Sequence, residues 1–106
     1  MADAGPVAVI ETFLKTLVIQ DCVTARGLST ESGYRQVGGF CQRIRVVNFQ
    51  IIGDGAGPSA DEVVFAATLT IEGGDASLTE GDHTIFFSVE RQPGDVWRVT
   101  GGGTGP

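Results

Sequence analysis

Glu62-Val63-Val64-Phe65-Ala66-Ala67-Thr68-Leu69-Thr70-Ile71-Glu72 is the stretch whose reading decides the fold. Val63, Phe65, Ala67, Leu69 and Ile71 point one way. Glu62, Thr68, Thr70 and Glu72 point the other, with Val64 and Ala66 as exceptions. Successive side chains leave a strand on opposite sides, so this alternation defines a β-strand with one buried face. An apolar face of this length must be covered. What covers it determines whether the interior is a packed core or the wall of a pocket.

Working outward, three further strands are expected. Arg45–Ile52 places Val47, Phe49 and Ile51 on one face and Asn48 and Gln50 on the other, with Val46 and Ile52 breaking the polar side. Residues 53–59, rich in glycine with Pro58, read as a loop. A turn region runs from Gly73 to Asp82, followed by a strand over His83–Arg91. Pro93-Gly94-Asp95 makes a tight turn into Val96–Thr100. Gly101 to Pro106 offers no core-forming side chain and is expected to fray as a flexible tail, leaving residues 1–100 as a single domain.

The cover comes from the N-terminal end. Val7, Ile10, Phe13, Leu14, Leu17 and Val18 recur at three- and four-residue steps, which makes one apolar stripe on a helix over residues 6–20. Pro6 suits its first turn, and Asp3 supplies a nearby acid. Asp21 to Arg26 reads as a second, short helix with Asp21 as its N-cap and Gly27 as its stop. Residues 29–33 read as a connection, and Tyr34–Cys41 as a short irregular helix interrupted by Gly38-Gly39. A helix followed by sequential antiparallel strands is an α+β layout, with the helix stripe packed on a sheet of about four strands. Phe13, Leu14, Leu17, Val47, Phe49, Phe65, Leu69, Ile85, Phe87 and Trp97 are the expected large core residues.

Composition narrows the function classes. The 106 residues suffice for one modest core, and 42% hydrophobic with 19% charged residues favours folding over disorder. A net charge of −6 argues against nucleic acid, which requires clustered Lys and Arg. Arg26, Arg35, Arg43 and Arg45 do fall close together, and a solvated face is the expected reading of them. No apolar stretch is long enough for a membrane span. No basic segment followed by an apolar one opens the chain as in a signal peptide, and Met1-Ala2 reads as a translation start. If the natural protein is exported, this chain is a trimmed form of it.

Cys22 and Cys41 are the two cysteines. An even count in a small domain permits a disulfide, which implies an oxidising compartment; two buried free thiols are the alternative and fit the cytoplasm. Their spacing is no metal-ligand pattern, and His83 is the one histidine, so neither metal nor cofactor is expected.

Three segments together resemble a known family. They are the opening Val7-Ala8-Val9-Ile10-Glu11-Thr12-Phe13-Leu14-Lys15-Thr16-Leu17 helix, the Asp21–Leu28 segment, and Val96-Trp97-Arg98-Val99. They resemble the nuclear-transport-factor-2-like (NTF2-like) superfamily, the cystatin-like α+β roll, and within it small bacterial extracytoplasmic domains carried on a membrane anchor or lipoprotein tail. The resemblance implies a curved sheet. It also implies a cysteine in the second helix and another before the first long strand, as Cys22 and Cys41 stand here. Enzymes of that superfamily, isomerases and cyclases, use an Asp with a Tyr or His inside an apolar cavity.

The candidate site residues follow from both readings. A pocket would draw on His83, Tyr34, Phe65, Phe87 and Trp97, and would take a small apolar ligand. No carboxylate falls inside an apolar strand face: Asp54, Asp75, Asp82 and Asp95 stand in turns, so the acid–base set of such an enzyme is missing and no catalytic residue is assigned. Val46, Val64 and Phe86 form a partly apolar row on the opposite face, which suits a homodimer or a protein partner. The expected function is a non-catalytic binding or assembly module of an extracytoplasmic protein. A small enzyme or ligand carrier working near His83 is the alternative.

Overall fold

A computed structural model of the protein describes residues 5–56, 59–73 and 79–103. Four helices come first: α1 (Pro6–Ile19), α2 (Cys22–Gly27), α3 (Glu31–Val37) and α4 (Gly39–Gln42). Four strands follow: β1 (Arg45–Ala56), β2 (Glu62–Glu72), β3 (Gly81–Gln92) and β4 (Val96–Gly103). They form one antiparallel sheet in the order β1-β2-β3-β4. Each strand therefore pairs with its neighbour in sequence, the arrangement that short connections allow. The expected turn at Gly74–Asp75, the acid at Asp3, the loop at Gly57-Pro58 and the tail 104–106 lie outside the described residues.

The strand β2 matches its sequence pattern. Phe65, Ala67, Leu69 and Ile71 are buried, the residues between them and Val63 are half-covered, and Glu72 is exposed. The helix α1 covers that face with Val9, Ile10, Phe13, Leu14 and Leu17. Burying each such side chain stabilises by roughly 1.5–3 kcal/mol before conformational entropy is subtracted. Phe87 sits at the centre, edge-on to Phe13 and Phe40 with ring centroids 5.9 and 6.1 Å away. Val7, expected on the buried stripe, is instead 51% exposed, and Val9 takes the core position.

In β1 the expected faces are corrected. The register against β2 shifts between Val46 and Asn48 and again between Ile51 and Gly53. Each shift is a β-bulge, an extra residue that re-phases everything after it. Val46 therefore pairs with Ile71 and is buried in the core, in register with Phe49 and Ile51, while Val47 and Ile52 are the extra residues and are exposed. Past Ile52 the strand continues to Ala56, four residues beyond its expected end.

Of the caps expected for α2, Asp21 is found, while Gly27, expected as its stop, is its last residue and Leu28 is the C-cap. Asp21 caps α2, its carboxylate accepting from Thr24 Oγ1 at 2.6 Å and from Thr24 N at 3.2 Å. The hydroxyl bond first, and the amide bond second, hold the Asp21 carboxyl below the usual aspartate range. Residues 29–33, expected as a connection, contain the start of α3: Thr30 Oγ1 accepts from Gly33 N at 3.0 Å as its N-cap. The preceding segment seals the edge of β4, where Thr30 N donates to Val99 O at 3.0 Å and Val99 N to Leu28 O at 2.9 Å.

Closeness of α3 to β4 explains the glycines. A Cβ on Gly33 would stand 2.4 Å from Val99 O, and one on Gly102 would stand 2.9 Å from Val37 Cγ1. Only residues without a side chain let the helix approach this near. Gly101, Gly102 and Gly103, expected to fray, thus form the end of β4 and pair with Ser88, Phe87 and Phe86.

Candidate functional site

Directly opposed residues on neighbouring strands share a face. On the inner face the row Phe65, Ile85, Phe87, Val89 and Val99 is at most 2% exposed. On the outer face stand Val64, Ala66, Phe86 and Ser88, all half-buried, with Ala66 opposite Phe86 and Val64 opposite Ser88. Val64, Phe86 and Ser88 line a groove of about 490 Å³, together with Glu62, Glu90 and, from α3, Gln36. Two of the three residues expected in an outer-face row, Val64 and Phe86, are brought together here. The third, Val46, is removed from it by the bulge at Val47 and is 1% exposed in the core.

Charge surrounds this apolar floor. Glu62 stands directly opposite Glu90, and Glu90 directly opposite Arg98. Arg98 turns aside to donate from Nη1 to its neighbour's carbonyl, Trp97 O, at 2.7 Å. Among the described residues neither Glu62 nor Glu90 enters an ion pair. Two facing carboxylates with no cation between them disfavour the bare sheet. At the other end of the same face Asp82 accepts from Thr70 Oγ1 at 2.7 Å, and Glu72 pairs with Arg45 at 3.5 Å.

The residues expected around a pocket are dispersed. Phe65 and Phe87 are packed in the core. His83 lies opposite Leu69, on the inner parity as expected, and its Nε2 is 2.7 Å from Thr79 O at the sheet's rim. Trp97 is half-buried under the Arg91 guanidinium, 5.9 Å from its centroid, and Arg91 in turn pairs with Asp61 and Asp95. Tyr34 is buried against the helices, its hydroxyl accepting from Gln42 Nε2 at 3.0 Å. None of these five lines the outer groove.

Cys22 and Cys41 lie at disulfide distance, with Cα atoms 5.8 Å apart, linking α2 to α4. Among the described residues no helix is long and apolar enough to cross a membrane. Sequence reasoning overlooked the roles of Glu62 and Glu90, although their parity with Val64 on β2 and Phe86 on β3 was readable. It also overlooked Gln36, which reaches the groove because α3 packs on the end of β4.

The fold is that of an α+β protein with one four-stranded antiparallel sheet and several helices. Over 100% of its length the chain is similar to a SEC-C motif-containing protein from Rhodopseudomonas palustris, solved in solution. The match spans 83% of that chain with a TM-score of 0.70 at 11% identity, a likeness of fold alone. No family model matches the sequence, and no curated protein does. This neighbour overturns the resemblance to the NTF2-like superfamily. That resemblance rested on an amphipathic helix, a short second helix and an aromatic last strand, and those patterns specify an α+β layout without specifying a superfamily.

Proposed function

We propose that the protein is a non-catalytic binding module that docks a protein partner on the outer face of its sheet. The observation that supports this is the groove over Val64 and Phe86, which stays open while α1 and its neighbours bury Phe65, Leu69, Ile85 and Phe87 on the other face. A row of apolar side chains across adjacent strands suits an interface.

Charge favours one kind of partner. Glu62, Glu72, Asp82 and Glu90 stand on this face against Arg45 and Arg98. A second copy laid face to face would bring acid toward acid, whereas a segment with an apolar anchor flanked by Lys or Arg would satisfy both floor and rim. The Cys22–Cys41 pair supports an oxidising, extracytoplasmic setting for this activity.

The test is an NMR titration of amide shifts with a peptide of alternating Lys and Phe, alongside sedimentation of the protein alone. The expected result is shifts clustered at Val64, Phe86, Ser88 and Glu90 that vanish in Phe86→Asp, and a monomer in sedimentation. Shifts scattered over the acidic surface, or unchanged in Phe86→Asp, would overturn the reading. A dimer broken by Phe86→Asp would replace the basic partner with a second copy.

A further inference from the structure

A second groove, of about 370 Å³, lies among the helices and is lined by Arg26, Tyr34, Arg35, Gly39, Gln42 and Arg43, with Glu31 and Gly38. Three of the chain's seven cationic side chains converge here, in a protein whose net charge is −6. The fold brings them together from three short helices and their ends, since Arg26 belongs to α2, Arg35 to α3 and Arg43 to the C-cap of α4. Arg35 is paired with Glu31 at 3.3 Å. Among the described residues, Arg26 and Arg43 have no carboxylate at ion-pair distance.

Both unpaired guanidiniums are held by packing instead. Arg26 stacks over the Tyr34 ring, 5.6 Å from its centroid. Arg43 lies over Gly39, where a Cβ would stand 3.1 Å from Arg43 Nη2, so the absent side chain makes room for it. The Tyr34 hydroxyl accepts from Gln42 and keeps its own hydrogen as a donor among the described residues. Cys22 is one helical turn before Arg26, and Cys41 is two residues before Arg43, so the link between them holds the two arginines' backbones in fixed relation.

We propose that this groove binds a phosphate dianion. Three guanidiniums against one carboxylate leave a formal charge of +2 on the lining, which a phosphate monoester neutralises and a single carboxylate does not. Guanidinium forks present paired N–H donors matched to phosphate oxygens, and stacking removes part of the entropy lost on binding. This site lies on the helices and stands independently of the outer-face docking reading.

Inorganic phosphate is titrated at constant ionic strength, with chloride as the control, while arginine Nε–Hε NMR signals and the melting temperature are followed. Saturable shifts at Arg26 and Arg43 with a raised melting temperature are expected. Arg26→Gln and Arg43→Gln, both at exposed side chains, should each weaken binding about tenfold or more, the factor for one charge-assisted contact. An equal response to chloride, or an unchanged one in the double variant, overturns the site. Succinate binding as well as phosphate overturns the phosphate assignment. Binding to phosphatidic-acid vesicles without a response to free phosphate overturns the small-anion assignment.

Discussion

The two faces of the sheet carry neighbouring aromatic residues with opposite fates. Phe87 points inward, is fully buried, and touches Phe13 and Phe40 edge-on. Phe86, one residue earlier, points outward over a groove beside Glu62 and Glu90. The inner face is closed by α1, α3 and α4 over Phe65, Leu69, Ile85 and Phe87, with His83 at its rim. The outer face has an apolar floor, a rim where Glu62 and Glu90 make no ion pair among the described residues, and only Gln36 reaching it from a helix. A sheet that needed both faces only for stability would not place Glu62 opposite Glu90. The difference teaches that stability resides on one side and that the other is free to be spent on recognition.

The pair Phe86 and Phe87 is the sharpest place to break this comparison. Phe87→Ala should destabilise by about 3–5 kcal/mol, the range for truncating a buried aromatic. Phe86→Ala should cost less than about 1 kcal/mol, since its side chain is half in water. Urea denaturation of both variants gives the two values; near-equal losses would erase the distinction between the faces.

The Cys22–Cys41 link belongs wholly to the helical side. It closes a loop of sequence separation 19, so its removal in Cys22→Ala/Cys41→Ala should cost about 3 kcal/mol through the freedom returned to the unfolded chain. Thermal unfolding measures the loss. Amide shifts of Val64 and Phe86 should stay unchanged, and movement there would show that the outer face depends on how the helices are tied.

Gly33 tests how tightly the inner face is closed. Gly33→Ala puts a methyl group against the Val99 carbonyl and the Thr100 backbone, neither of which can turn away as a side chain can. A loss of about 1–3 kcal/mol is expected, the range for overpacking, read from the denaturation midpoint. An Ala variant as stable as the parent would mean that α3 can lift from β4 freely.

How much of this was legible depends on what each residue reports about itself. The strand β2 was readable to its ends because each side chain states its side of the sheet, and only one side is buried. β1 was not. Val46, Val47, Ile51 and Ile52 are equally apolar, and nothing in them marks which is the extra residue of a bulge, so the interface assignment of Val46 failed with the phase. Gly33, Gly101 and Gly102 act through what they lack, and a hydropathy pattern has no term for a helix passing close overhead. Of the outer groove, Val64 and Phe86 were legible by parity. The arginine groove was half legible: the cluster Arg26, Arg35 and Arg43 stands out in sequence, but its convergence depends on turns between three short helices.

The smallest expected effect separates the faces by sign. Glu90 stands between Glu62 on one side and Arg98 on the other, and ion-pairs with neither. Glu90→Gln removes a repulsion from a cross-strand pair and should stabilise the fold by a few tenths of a kcal/mol, at the low end of the range for such pairs. The same change removes one charge from the rim and should slow association with a Lys- and Phe-bearing peptide, with a weaker dependence on salt than the parent shows. Substitutions at Phe65, Ile85 or Phe87 on the inner face cannot have this pair of outcomes, because those side chains are buried in the core. Greater stability with weaker binding is the mark of a residue kept for recognition at the expense of the fold. Denaturation and stopped-flow binding on the single variant read both quantities, and a Glu90→Gln protein that loses stability while binding at the parent rate would make the acidic rim a structural feature.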